Sequence, residues 1–133
     1  MTTTHDASEI RTSEDVVRIR QAVRSAAVAS GFNLVDQTKI ITAASELARN
    51  TLEYGGGGRM LLETQQLNGR TCVRLTFEDE GPGIANIEQA LKDGFTSGRG
   101  LGLGLGGAKR LSNEFSIESE PGKGTRVMIA RWK

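Results

Sequence analysis

The chain has 133 residues, with 17 Lys and Arg against 16 Asp and Glu, a formal charge of +1. That balance argues against the basic face of a nucleic-acid module and against a polybasic membrane surface, while 37% hydrophobic residues exclude a disordered chain. A single histidine, His5, and a single cysteine, Cys72, exclude histidine-based hydrolase triads, His-ligated zinc and an internal disulfide.

Residues 1–9 read as a polar tail that runs into a short strand over residues 7–12. The tail lacks the basic-then-apolar order of a secretion signal, and nowhere do about 20 apolar residues follow one another. A cytoplasmic protein without membrane contact is expected. Ser13 followed by Glu14 and Asp15 predicts a helix start, because a capping oxygen and early carboxylates suit the exposed amides there. Val16, Ile19, Val23, Ala26 and Ala27 then recur at helical spacing, and Gly31 marks the stop. A second helix is predicted over residues 36–54, with an apolar stripe of Ile40, Ile41, Ala44, Leu47, Ala48, Thr51 and Leu52, ended by four consecutive glycines.

Residues 59–65 and 71–78 predict two strands joined at Asn68-Gly69, a strong hairpin signal. In the second, Val73, Leu75 and Phe77 alternate with Cys72, Arg74 and Thr76, which predicts one buried face. A short helix over 86–91 and a helix over 103–112 follow. Strands over 114–119 and 125–132, joined by Glu120-Pro121-Gly122-Lys123-Gly124, complete the chain. These elements imply an α+β fold, a two-layer α/β sandwich with helices on one face of a mixed sheet, in a single domain spanning residues 1–133.

Three constellations carry chemistry. In Glu46-Leu47-Ala48-Arg49-Asn50 the first and last residues lie one helical turn apart, on the polar side of the predicted stripe. A solvated helix face gives the same spacing. A neutral amide can also complete a Mg²⁺ shell built from phosphate and water, beside a carboxylate able to accept a proton. Asp79-Glu80-Gly81-Pro82-Gly83 follows a strand. It suits an ordinary turn, and equally a flat ligand whose amino group meets an acceptor-only carboxylate.

The third constellation is the glycine cluster. Glycine accounts for 17 of 133 residues, against a usual ~7%, and seven fall within residues 94–107. Alternating Gly and Leu from Gly98 to Gly107 predicts a phosphate cradle, in which glycine amides converge on an anion next to a helix start. Residues 102–107 satisfy G-x-G-x-x-G, but no strand precedes them and only 26 residues follow, so a dinucleotide-binding βαβ unit does not fit. A Walker A loop also fails, since Gly122-Lys123 runs into Gly124. Thr125, at the start of the last strand, would place a hydroxyl beside a base held by Asp79.

The order of these features resembles the ATP-binding fold shared by gyrase, histidine kinases and MutL, the GHKL superfamily with its Bergerat-type site. That resemblance implies ATP and Mg²⁺ as cofactors. It makes Glu46 the catalytic carboxylate and Asn50 the magnesium ligand. Asp79 would hold the adenine amino group, with Gly81 and Gly83 beside the base. Gly98, Gly100, Gly102, Leu103, Gly104 and Gly106 would form a lid over the phosphates, with Lys109 or Arg110 adding charge and Thr125 flanking the base.

Among stand-alone domains, Ser45-Glu46-Leu47-Ala48-Arg49-Asn50, Glu78-Asp79-Glu80-Gly81-Pro82-Gly83-Ile84 and Gly104-Leu105-Gly106-Gly107-Ala108-Lys109-Arg110-Leu111 are similar to switch kinases of the RsbT type. Gly94-Phe95-Thr96-Ser97 and Asn113-Glu114-Phe115 extend the match. Such kinases phosphorylate Ser or Thr on STAS-domain scaffold proteins of the stressosome and then activate a metal-dependent serine phosphatase. The resemblance therefore implies a serine/threonine kinase with those partners. The alternative in the same superfamily is an ATP-gated anti-sigma factor that sequesters a sigma factor.

Overall fold

A computed structural model describes residues 2–91 and 104–133. Its elements in chain order are β1 (Thr2–Ile10), α1 (Ser13–Ala29), α2 (Leu34–Glu53), β2 (Gly58–Leu67), β3 (Arg70–Asp79), α3 (Ile87–Ala90), α4 (Gly104–Arg110), β4 (Glu114–Ser119) and β5 (Thr125–Trp132). The strands form one sheet in the order β1-β2-β3-β5-β4.

The polar tail is itself a strand. β1 pairs with β2 along its whole length, from Thr2 opposite Gln66 to Ile10 opposite Gly58. Every strand pair is antiparallel, so the sheet is not mixed. The connections explain why. α1 and α2 form a helical hairpin that returns the chain to the end where β1 stopped, which forces β2 to run back. Asn68 and Gly69 both take positive φ, 55° and 77°, as the tight turn between β2 and β3 requires.

Helix boundaries follow local chemistry. Thr12, one residue before the predicted cap, accepts from the Asp15 amide, while the Asp15 carboxylate accepts from the Thr12 amide at 3.0 Å. This is a reciprocal capping box. α2 starts at Leu34 because Asn33 accepts from the Asp36 amide at 2.8 Å. The buried arc of α2 includes Ala43 as well as Ile40, Ala44, Leu47, Ala48 and Thr51. That arc is rotated from the predicted stripe, since Ile41 and Leu52 are only half-buried, and Glu46 and Asn50 border it on the side of Ala43.

The core lies between the helices and one face of the sheet. Met60, Leu62, Val73, Leu75, Phe77, Val127 and Ile129 meet Ile19, Val23, Ile40 and Leu47 there. Arg131 closes one end of the core. It pairs with Asp36 at 2.8 Å and donates to the Leu111 carbonyl at 2.8 Å, tying β5 to the start of α2 and to the chain just beyond α4.

The alternation predicted for β3 is incomplete, because Cys72 and Thr76, on the opposite face, are buried as well. Long side chains cover that face around Cys72. Its register partner Trp132 donates to Glu114 at 2.5 Å and lies 5.2 Å beneath the Arg70 guanidinium. Burial pushes the Cys72 thiol up, with Glu114 and Glu63 adding to the effect against the opposing pull of Arg74 and Arg70. Because the thiolate is the nucleophile, Cys72 should react with a maleimide at pH 8 far more slowly in the fold than in urea. Timed mass spectrometry of the alkylated protein checks this.

Candidate nucleotide site

The site is built where α2 ends. The carbonyls of its last turn are taken up by the glycine run: Tyr54 and Gly55 donate to the Asn50 carbonyl at 2.9 and 3.2 Å, and Gly57 to that of Thr51 at 3.0 Å. This folds the chain sharply back onto the end of β3. A Cβ at Gly55 would overlap the Asp79 carboxylate, so only glycine permits the approach. In the sequence these glycines mark only a helix stop. Their additional signal was position, immediately ahead of a strand that pairs with the Asp79 strand.

Asp79 is fixed from its own turn. Its Oδ1 accepts from the Gly81 amide at 2.9 Å, and the carboxylate makes no ion pair among the described residues. By contrast its neighbour Glu78 is engaged by Arg59 at 3.0 Å and Arg126 at 3.6 Å. Gly81 thus shapes the turn and is absent from the cavity wall. Thr125 stands directly opposite Asp79 in the β3–β5 register.

Asp79, Thr125 and Asn50 share a cavity of about 460 Å³, within the usual range for small-molecule sites. Leu47, Phe77 and Val127 supply apolar wall, as do Pro82, Gly83 and Ile84 on the following turn and Leu105 from α4. Gly83 reaches this position by packing against the Glu120 backbone. The Gly122 amide, donating to the Pro82 carbonyl at 2.7 Å, locks the two turns together. Tyr54, Phe77, Ile84 and Leu105 line the cavity although the sequence marks none of them as a site residue, since apolar side chains there look like any core residue.

Glu46 sits one turn from Asn50 along α2 and outside the cavity wall. Its side chain retains 14% exposure and pairs with Arg49 at 3.2 Å, so this part of α2 is not a solvated face. Asn50 makes no side-chain hydrogen bond among the described residues, leaving its amide available. Gly104 and Gly106 belong to helix α4 and are buried, inside the helix predicted over residues 103–112 and at the end of the glycine-rich run. Lys109 lies in the last turn of α4, exposed and outside the cavity. Gly98, Gly100, Gly102 and Leu103 lie outside the described residues.

These features fit a nucleotide. Apolar walls suit a purine ring, and a carboxylate with spare acceptor capacity at their edge suits its amino group. No group of three His, Cys, Asp or Glu side chains that could hold a metal occurs among the described residues. The donor set present, a single amide, fits a magnesium ion that arrives bound to phosphates.

The pattern of histidine kinase-, DNA gyrase B-, and HSP90-like ATPases matches residues 35–133. The chain belongs to this ATP-binding family. It is 44% identical over 92% of both chains to the serine/threonine-protein kinase RsbT of Bacillus subtilis, which places it in the RsbT-type serine/threonine kinase group. It is also 33% identical, over 71% of its length and 68% of the relative's, to an anti-sigma F factor of a Geobacillus strain. Among solved structures, the RsbU and RsbW domains of a Mycobacterium tuberculosis protein superpose with a TM-score of 0.63 at 18% identity. All of this chain and 33% of that one are covered, and the likeness is one of fold. Among the described residues, no helix is long and apolar enough to cross a membrane.

Proposed function

We propose that this kinase transfers the γ-phosphate of ATP to a Ser or Thr of STAS-domain partner proteins, and afterwards engages a metal-dependent serine phosphatase as its activator. The observation that carries the nucleotide half is the meeting of Asp79, Thr125 and Asn50 on one apolar cavity. The partner half rests on the 44% identity to RsbT, extended by the family resemblance.

In this reading Asp79 accepts from the adenine amino group and the apolar walls sandwich the ring. Asn50 offers its amide oxygen to the metal, and Gly98, Gly100, Gly102 and Leu103, with Gly104 and Gly106 at the start of α4, supply the phosphate lid. Magnesium, when bound with the nucleotide, neutralises phosphate charge. Glu46 orients the incoming hydroxyl and accepts its proton, with Arg49 holding the carboxylate in place. Phosphoryl transfer needs little more from a protein than positioning and charge stabilisation.

Transfer of label from γ-labelled ATP to STAS-domain proteins of the same genome tests the reading. Label on a Ser or Thr of one of them is the expected result; ATP binding with no labelled STAS protein rejects it. The 33% identity to an anti-sigma F factor favours a second outcome in that case, an ATP-dependent complex with a sigma factor.

Asn50→Ala should raise the Mg²⁺ concentration needed for half-maximal transfer by about tenfold, consistent with loss of one ligand or its supporting shell. Adenosine, which carries no phosphate to share the metal, should bind the variant as it binds the parent. A magnesium titration of the transfer rate, paired with adenosine calorimetry, separates the two effects.

A further inference from the structure

A single row of residues crosses all five strands at the base of the cavity. Ile10, Gly58, Asp79, Thr125 and Ser119 are successive register partners on β1, β2, β3, β5 and β4. Asp79 and Thr125 line the cavity, whereas Ser119 lies one strand further out and does not. Ser119 is nevertheless the most connected hydroxyl of the region. It accepts from the Ile84 amide at 2.8 Å, lies 3.0 Å from the Gly124 carbonyl oxygen, and lies 2.8 Å from the Thr125 hydroxyl.

A hydroxyl has one proton to give, and two acceptors compete for that of Ser119. When Ser119 donates to Gly124, Thr125 must donate back to Ser119 and turns only lone pairs toward the cavity. When Ser119 donates to Thr125, the Thr125 proton is released toward the cavity. Beside the acceptor-only Asp79, the first state offers two neighbouring acceptors. The second offers an acceptor next to a donor. Adenine presents the complement of the second state alone, an amino donor beside the ring-nitrogen acceptor N1.

We propose that Ser119 is a positioning residue for base recognition: it donates to Thr125, so that the Thr125 hydroxyl donates to adenine N1 while Asp79 accepts from the amino group. Ser119 never touches the nucleotide. It acts through Thr125, and by holding the Ile84 amide it also fixes the cavity wall that faces the base. A chain of hydroxyls of this kind is polarised in one direction, which strengthens the terminal bond. The inference rests on the adenine-binding reading above and adds to it a residue and a direction of hydrogen bonding.

The test compares ATP with 1-deaza-ATP, in which N1 is replaced by C–H, using calorimetry on the full chain. The parent protein should prefer ATP by about fivefold, the worth of one net hydrogen bond. Ser119→Ala should abolish most of that preference and Ser119→Thr should restore it. Thr125→Val should abolish it too, and the double substitution should do no more than Thr125→Val alone, since coupled residues act as one unit. Loosening of the wall through Ile84 would weaken both nucleotides alike and leave the ratio unchanged. A ratio that survives Ser119→Ala overturns the proposal. Survival in Thr125→Val overturns it as well, even if Ser119→Ala cannot be obtained folded. Failure of the parent to bind ATP at all is a distinct result, which removes the nucleotide reading itself.

Discussion

Replacing Glu46 by Gln should lower phosphate transfer by about 10²–10⁴-fold, the usual worth of a positioned general base, while ATP affinity changes by less than about threefold. The separation is expected because Glu46 lies outside the cavity wall that Asn50, Asp79 and Thr125 share. Folding should hardly respond. The Glu46–Arg49 pair is a helical i,i+3 contact with Arg49 39% exposed, and partly exposed pairs of this kind contribute roughly 0.3–0.5 kcal/mol at most. Single-turnover transfer from prebound ATP, measured beside calorimetric affinity, reads both quantities. A variant with undiminished single-turnover rate would show that the proton is taken elsewhere.

Asp79→Asn has the opposite signature. ATP affinity should fall by about 10–100-fold, as expected on losing a charge-assisted hydrogen bond in a cavity, and single-turnover transfer at saturating ATP should be much less affected. The substitution leaves an amide oxygen in place of Oδ1, so the bond from the Gly81 amide and with it the turn can persist. Loss of binding would therefore report recognition of the base and not collapse of the site. The two variants together divide the machinery: one removes chemistry and spares binding, the other weakens binding and spares chemistry.

How much of this was legible in the sequence depended on whether a signal was local. The helices, the Asn68-Gly69 hairpin and both final strands follow from neighbours a few residues apart, and β4 and β5 fall on the predicted bounds. β1 was legible only at its end. Its residues Thr2–Ile10 are mostly polar, and pairing with β2 makes them a strand, a tertiary effect that composition cannot carry. The same holds for the antiparallel sheet, which is set by where the helical hairpin delivers the chain.

At the site, Asp79 and Asn50 stood out because a carboxylate in a glycine-rich turn and a helix Glu-x-x-x-Asn are uncommon patterns with a chemical use. The contribution of Gly55 depends on a carboxylate 24 positions away, and that of Ser119 on three partners drawn from two turns and a neighbouring strand. Neither partnership leaves a trace at its own position. Gly104 and Gly106 carry two signals at once, the end of a glycine repeat and the start of the helix predicted over residues 103–112, and the backbone there is helical.

β1 also has a bearing on handling the protein. As the outermost strand on its side of the sheet, it covers one backbone edge of β2, whose run Arg59-Met60-Leu61-Leu62 is far stickier than Thr2-Thr3-Thr4-His5-Asp6. A shortened chain that began after Ile10 would bare that ladder of amides and carbonyls along an apolar strand, an invitation to edge-to-edge aggregation. The mostly polar strand Thr2–Ile10 thus acts as a built-in solubility shield.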